Sequence, residues 1–336
     1  MNNLKKIGVS ALAGSLVAFA GNAGELSVSG TANLTYTSEE IGPTVSSANN
    51  TGNPFGTASD VAFNGSGDVN GMTVSFFAAL DAGGGGYASN SFSVDMGDMG
   101  KLRFDQGVGG NGAAAIDDKS PTAWEESWDG IAAGVGVSMT GSQNVFEYEN
   151  TIAGFGIAAA WDTEIDDSRT ADGAMGAPGT SIDGSNTSFA ITNASLVDGL
   201  DFGIGKSETD VKDGTTDSTD IETVVGYANY TVGPVTIGYT QAEQSGGSVG
   251  SDMHQMEAYG IVFAVNENLS VSFNNHEVTY AKTSGNVDQS SDKDGIAIAY
   301  SMGGASVKIQ NNTTDGSSTS NTYTEDRTEV NLSLAF

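Results

Sequence analysis

Apolar and polar residues alternate with a period of two along most of this chain. The pattern is clear in 72–80, 200–204, 235–239 and 269–273, and it returns at the end of the chain in 330–336. A period of two places successive side chains on opposite faces of an extended strand, whereas a helix repeats every 3.6 residues. Each segment therefore predicts a β-strand with one apolar and one polar face, and the chain is predicted to be all-β.

The connections between these strands alternate between short turns and long polar loops. The short turns fall near residues 68–71, 98–100, 151–154, 195–199, 231–234, 265–268 and 302–304. The long loops, rich in Gly, Ser, Asn and Asp, cover about residues 37–57, 83–91, 107–143, 164–184, 208–220, 243–253, 277–294 and 312–326. Seven turns and eight loops predict 16 antiparallel strands. An even number of strands brings both ends of the sheet to the side of the short turns.

One face of each strand is too apolar for water, and the other is too polar for a protein core. Such a sheet is stable when its apolar face meets lipid. An open sheet in lipid would leave edge N–H and C=O groups unpaired, at a cost of several kcal/mol each, so the sheet must close into a barrel. A barrel of 16 strands is too wide for side chains to fill, and its interior holds water. The sequence thus predicts a transmembrane β-barrel with an aqueous pore; a soluble β-sandwich with aromatic residues in its core is the alternative.

The two ends of the chain fit an exported barrel. Lys5 and Lys6 precede an apolar segment, 7–20, that is too short to span a membrane as a helix. The segment ends in an Ala-x-Ala cleavage site, 18–20, and Gly21-Asn22-Ala23 is a second candidate site, after which we favour cleavage. We predict a signal peptide over 1–23 and a single barrel domain over 24–336. The last strand ends on Phe336, where we expect it to close the barrel.

The charge and composition of the chain exclude several classes of function. The 42 Asp and Glu against 12 Lys and Arg give a net charge of −30, which argues against a nucleic-acid partner because such binding needs a basic face. Loss of Lys5 and Lys6 with the signal peptide would leave 10 basic residues and a charge of −32. The absence of Cys excludes disulfides, Cys-bound zinc and cysteine nucleophiles.

Four features of the chain resemble the general bacterial porins of the alphaproteobacterial type. They are the opening strand Glu25-Leu-Ser-Val-Ser-Gly30, the hairpin that runs from Phe92 to Asp105, the long third loop after it, and the terminal Phe336. The hairpin, Phe-Ser-Val-Asp-Met-Gly-Asp-Met-Gly-Lys-Leu-Arg-Phe-Asp, is the most specific of the four. The resemblance covers the layout of the whole mature chain.

The resemblance implies a homotrimer in the lipid of the bacterial outer membrane, with short periplasmic turns and long external loops. It implies that the third loop, here Gly107 to about Gln143, folds into the pore and narrows it. It also implies passive diffusion of small hydrophilic solutes as the function. The chain departs from the family in its basic residues, because it has only Arg103, Arg169 and Arg327 where members commonly place several arginines opposite the loop.

Charged residues in and before the third loop are predicted to form the pore constriction. Within the loop these are Asp117, Asp118, Glu125, Glu126 and Asp129, and on the lumen face of the preceding strand they are Lys101, Arg103 and Asp105. We expect the strand residues to face the acidic loop across or beside the aperture. Carboxylates in a narrow, partly dehydrated pore attract cations and repel anions, so the pore is predicted to prefer cations. Solvated charges without a special role are the alternative.

Three other patterns suggest sites only weakly. Weak calcium candidates are Asp166, Asp167, Asp292 and Asp294, in segments that lack the spacing of a helix-loop-helix calcium site. Residues 107–112 match G-x-G-x-x-G but no βαβ unit follows, so we expect these glycines to bend the loop. His254 and His276 lie beside loops without a G-x-S-x-G motif, and no catalytic or cofactor-binding residue is predicted.

The sequence leaves some questions open. The segments 220–230 and 253–264 carry apolar residues on both faces, which a subunit interface or a slipped strand boundary would explain. The predicted function is a water-filled, cation-preferring channel rather than an enzyme. A substrate-selective porin with a binding site in the lumen and a plugged barrel with a surface or structural role are the alternatives.

Overall fold

The computed structural model describes residues 24–42, 52–81, 86–131, 144–162, 183–211, 219–247, 253–281, 289–318 and 321–336. The strands are β1 (Glu25–Ile41), β2 (Phe55–Val69), β3 (Met72–Asp81), β4 (Gly86–Asp95), β5 (Lys101–Gln106), β6 (Val145–Ile152), β7 (Phe155–Asp162), β8 (Asp183–Asn193), β9 (Leu200–Val211), β10 (Thr219–Val232), β11 (Val235–Gly247), β12 (Met253–Asn266), β13 (Leu269–Ala281), β14 (Gln289–Met302), β15 (Ala305–Ser318) and β16 (Asn321–Ala335). Each strand pairs with the next in an antiparallel sheet, and β16 pairs with β1. The predicted fold class and strand number are confirmed. The predicted signal peptide lies outside the described residues.

The closing pair of strands includes the terminal residue. Thr31 of β1 is opposite Ala335 of β16. Beyond that pair, Gly30 N donates to Phe336 O at 2.7 Å and Phe336 N donates to Gly30 O at 3.0 Å. The last residue therefore extends the ladder that closes the barrel.

The two faces of the barrel differ as the alternation predicts. Large apolar side chains are exposed on the outer face, among them Leu34, Phe76, Phe92, Trp161, Ile204, Tyr239, Tyr259, Ile296, Tyr300, Leu332 and Leu334. Polar side chains such as Ser188, Asn274 and Gln310 face the lumen. A surface of this kind is stable against lipid rather than water. In the parts of the chain that the structure describes, no helix is long and apolar enough to cross a membrane.

The seven short turns lie where they were predicted, but several strands reach further into the long loops than the sequence indicated. The predicted loop 277–294 includes the end of β13 and the first residues of β14. In the predicted loop 312–326, β15 and β16 pair as far as Ser318 and Asn321. The extensions of β14, β15 and β16 are mainly polar on both faces, so they carry no clear alternation, and hydrogen bonds to neighbouring strands hold them instead.

Candidate functional site

The third loop begins at a run of glycines after β5. Gly107, Gly109, Gly110 and Gly112 have φ values of +96°, +82°, +67° and +57°, in the left-handed region that glycine adopts without strain. They lead the chain into a short 3-10 helix, Gly112–Ala115, which lies against β7, β8 and β9. The loop therefore bends towards the inner wall of the barrel within its first residues.

Asp105, at the end of β5, holds this bend. Its carboxylate is fully buried and accepts hydrogen bonds from Val108 N, Gly109 N and Asn111 Nδ2, each at 2.8 Å. Hydrogen bonds to a charged acceptor are among the stronger ones in proteins. A buried side chain cannot line an aperture, so the predicted place of Asp105 at the constriction is corrected: it fastens the loop to the strand.

A buried ion pair on the wall fastens the same part of the loop. Arg103 of β5 is directly opposite Glu147 of β6, and Arg103 Nε donates to Glu147 Oε2 at 3.0 Å. The second oxygen of the fully buried Glu147 accepts from Gly112 N at 2.8 Å. Arg103 Nη2 also donates to Asn111 Oδ1 at 2.8 Å. Arg103 is thus bound between the wall and the loop instead of standing free beside the pore.

Further along, the loop packs its apolar side chains on the wall. Ala113 and Ile116 contact a patch formed by Ala190, Val225, Tyr227, Ala242, Met256 and Val278. Burial of a side chain as large as Ile116, which is 2% exposed, stabilises the loop by about 1.5–3 kcal/mol. The patch explains the apolar inner face of β10 and β12, which needs neither a subunit interface nor a slipped strand boundary.

The middle of the loop lies flat against two glycines. Gly238 and Gly260 are opposite each other on β11 and β12. A Cβ atom on Gly260 would lie 2.2 Å from Pro121 O, and one on Gly238 would lie 2.5 Å from Pro121 Cδ. Beside them, Asn229 Nδ2 donates to Lys119 O at 2.8 Å. Only glycine leaves room for so close an approach of the loop.

Amide side chains of β15 hold the acidic part of the loop by its backbone. Gln310 Nε2 donates to Glu126 O at 2.7 Å. Asn312 Nδ2 donates to Glu126 O and to Asp129 O, both at 3.1 Å. Because these bonds use backbone oxygens, the carboxylates of Glu126 and Asp129 are left to act on one another and on solutes.

The attachment continues onto β13 and β16. Ser272 Oγ accepts from Ala123 N at 2.9 Å, and Arg327 Nη1 donates to Gly130 O at 3.0 Å. In sequence order, the loop contacts the wall from β6 through β16. Over its described part, residues 107–131, the loop follows the inner wall of the barrel and so occupies part of the lumen.

Three carboxyl groups of the loop lie together. Glu126 N donates to Asp129 Oδ2 at 3.3 Å, and the side chain of Glu126 is close enough to Asp118 and Asp129 for the charges to act on one another. Burial, with the neighbouring negative charge of Asp118, raises the pKa of Glu126 to about 8. Burial likewise raises the pKa of Asp117 to about 6, with the charge of Asp118 adding to it. These groups therefore change charge near neutral pH.

Comparisons with known proteins show which solved structures share this fold. No family model and no curated protein matches the chain. Solved structures do match. One is a porin with 15% sequence identity and a TM-score of 0.63, and the match covers 93% of this chain and 100% of the porin. Two others are OmpT, an outer membrane protein of Vibrio cholerae in its trimer form (11% identity, TM-score 0.67, 94% of this chain and 100% of that chain), and the anion-selective porin of Comamonas acidovorans (13% identity, TM-score 0.63, 93% of this chain and 100% of that chain). The chain has the fold of the bacterial porins.

Several basic side chains near the loop are engaged with partners. Lys101 Nζ lies 3.1 Å from Glu149 Oε2 on β6, next to the pair that Arg103 forms. Lys308 Nζ on β15 lies 5.7 Å from the centre of the Trp124 ring. Lys101 and Arg103 do share the lumen face, but β6 supplies their carboxylate partners, which the sequence analysis did not identify.

The structure describes two of the four calcium candidates. Asp292 and Asp294 lie on β14 rather than in a loop, and both accept hydrogen bonds from Asn275 Nδ2, at 2.6 Å and 3.0 Å. Asp166 and Asp167 lie outside the described residues. Among the residues that are described, no group of three or more His, Asp or Glu side chains is arranged to hold a metal ion.

One of the two histidines is enclosed by the third loop. His276 of β13 is fully buried, and its ring centre lies 4.3 Å from that of Trp128. Neither ring nitrogen has a hydrogen-bond partner. A histidine covered in this way has no access to a solute in the pore, so it cannot serve as a general base there.

We expect Gly260→Val to displace the middle of the loop and to change single-channel conductance. The added side chain would occupy the place of Pro121 O, and overpacking of this kind costs about 1–3 kcal/mol. Gly226→Val on β10 is the control for the substitution itself, because it lies on the outer face, between the inward-facing Val225 and Tyr227, and a Cβ atom there comes no closer than 3.5 Å to Gly203 O. Conductance in planar bilayers is the measurement; identical values for Gly260→Val and the parent protein would contradict the seating of the loop.

Proposed function

We propose that this chain is an outer-membrane porin that passes small hydrophilic solutes and ions by passive diffusion, with a preference for cations. The observation that carries the proposal is the acidic third loop seated on the inner wall of a closed barrel. The outer face suits lipid, and the lumen is polar. A loop bound inside such a barrel narrows a water-filled path through it.

The sign of the preference follows from the charges around the loop. Asp117, Asp118, Glu125, Glu126 and Asp129 are all on the loop. The neighbouring cations are partly neutralised, since Arg103 is bound to Glu147 and Arg327 Nη2 lies 2.9 Å from Glu329 Oε2. One porin of the same fold is described as anion-selective, so the fold does not set the sign. Carboxylates in the narrow part of a pore favour cations.

We also infer export through the signal peptide 1–23 and assembly as a homotrimer in outer-membrane lipid. One of the solved structures with this fold is described as a trimer. The exposed apolar outer face, which includes Phe76 and Phe92, provides surface for lipid and for neighbouring subunits. A single-subunit mass in mild detergent would argue against the trimer.

Reversal potentials across a KCl gradient test the proposed function. The purified protein in a planar bilayer should conduct, and the sign of the potential should show K⁺ to be more permeant than Cl⁻. No conductance from a folded barrel would favour the plugged, structural barrel. A potential of the opposite sign would leave a porin but overturn the cation preference.

A further inference from the structure

A recess of about 800 Å³ opens in the lumen on the short-turn side of the third loop. The loop forms one wall of it with Ala115, Ile116 and Lys119, and the barrel forms the other with Glu149, Asp201 and Tyr227. Small-molecule sites in proteins have volumes of about 300–1,000 Å³. The recess therefore has the size of a binding site for a small solute and is wider than a bare ion path needs to be.

A fixed carboxylate stands at the back of the recess. Tyr227 OH donates to Asp201 Oδ1 at 2.8 Å, across the paired strands β9 and β10. This bond holds the carboxylate in one orientation and occupies only one of its oxygens. The Tyr227 ring is almost fully buried, so the phenol is a rigid support for Asp201.

The charges around the recess favour a cation. Asp95 and Asp98 lie at its short-turn end. Of the two lysines there, Lys101 is already bound to Glu149 at 3.1 Å. The other three carboxylates of the lining, Asp95, Asp98 and Asp201, therefore outnumber the remaining lysine, Lys119. Ala115, which is only partly buried, adds an apolar surface beside these charges. The combination matches a solute with an ammonium group at one end and a short apolar chain.

We propose that this recess binds small primary ammonium compounds, with Asp201 receiving the ammonium group and the loop surface at Ala115 covering the alkyl chain. The inference rests on the proposed function, because the solute reaches the recess through the pore. It adds a selective step to passive diffusion. A solute held there obstructs the path beside the loop while it is bound.

Block of the K⁺ current by n-pentylammonium tests the site, with the protein in planar bilayers. Pentylammonium should reduce the current in a saturable way, whereas pentanoate and pentan-1-ol at equal concentration should not. Asp201→Asn should raise the half-blocking concentration about tenfold, the usual effect of losing a charged hydrogen bond. Tyr227→Phe keeps the ring and removes the support, so it should raise the half-blocking concentration by a smaller factor.

Asp60→Asn is the matched control, because Asp60 of β2 also faces the lumen, on the opposite wall. Pentylammonium should block the current through Asp60→Asn at the same half-blocking concentration as in the parent protein. This control separates loss of the site from loss of one lumenal charge. Equal block of Asp201→Asn and the parent, or equal block by pentanoate or pentan-1-ol, would overturn the proposal. If the protein conducts but pentylammonium does not block the current, the proposed binding in the recess is refuted and the porin function stands. If a folded barrel does not conduct, the proposed porin function is refuted.

Discussion

Replacement of Glu147 by alanine is expected to release the beginning of the third loop and to raise single-channel conductance. The fully buried carboxylate of Glu147 binds Arg103 and Gly112 N at the same time. Removing one partner of a buried ion pair typically costs about 3–5 kcal/mol, because the other charge is left without a partner. The substitution therefore destabilises the attachment of the loop. The barrel itself is affected less, because the hydrogen bonds between its strands do not depend on this side chain.

Two further variants make the Glu147 experiment specific. Glu147→Gln keeps an oxygen for Gly112 N and loses only the charge, so its conductance should lie between those of the parent and Glu147→Ala. Glu222→Ala removes a partner from an exposed pair, in which Lys206 Nζ lies 3.0 Å from Glu222 Oε2 on the outer face. Exposed pairs contribute about 0–1 kcal/mol, and the conductance of this control should not change. An unaltered conductance in Glu147→Ala would show that the loop is held without this pair.

The architecture could be predicted from the sequence because two solvents act on the two faces of each strand. Segments such as 235–239 must be apolar on the face towards lipid and can be polar on the face towards water. The number of strands follows from counting these segments and the turns between them. The pairing of Phe336 with Gly30 agrees with the expectation that the last strand closes the barrel.

The strand ends could not be predicted in the same way. Above the lipid there is no need for an apolar face, so β14 begins with the polar residues Gln289, Ser290 and Ser291. The sequence assigned this segment to a loop. Hydrogen bonds to β13 and β15 keep it extended, and a one-dimensional pattern contains no information about those bonds.

The candidate site was predicted in part. The loop carboxylates are recognisable because acidic residues are concentrated within a long segment. Their supports are not, because each comes from a distant strand: Asn312 lies 183 positions from Asp129, whose backbone it binds. Alternation also gives the face on which a residue lies but not its height in the barrel, which is why Asp105 was expected at the aperture and not beneath the loop.

The cation preference is expected to increase with pH. Burial raises the pKa of Asp117 to about 6 and that of Glu126 to about 8. A carboxyl group is neutral below its pKa and negative above it, so the loop gains negative charge as the pH rises through these two values. Reversal potentials measured at about pH 5, 7 and 9, on either side of these values, should give a K⁺ to Cl⁻ permeability ratio that is larger at each step.

Glu126→Gln separates the two steps of this titration. The variant keeps the size of the side chain and loses the group that titrates near pH 8, so the increase between about pH 7 and 9 should disappear. The increase between about pH 5 and 7 should remain, because burial of Asp117 produces it. Glu222→Gln, on the outer face and away from the lumen, should keep both steps. A permeability ratio that is constant or falls as the pH rises would mean that the loop carboxylates do not control which ions pass.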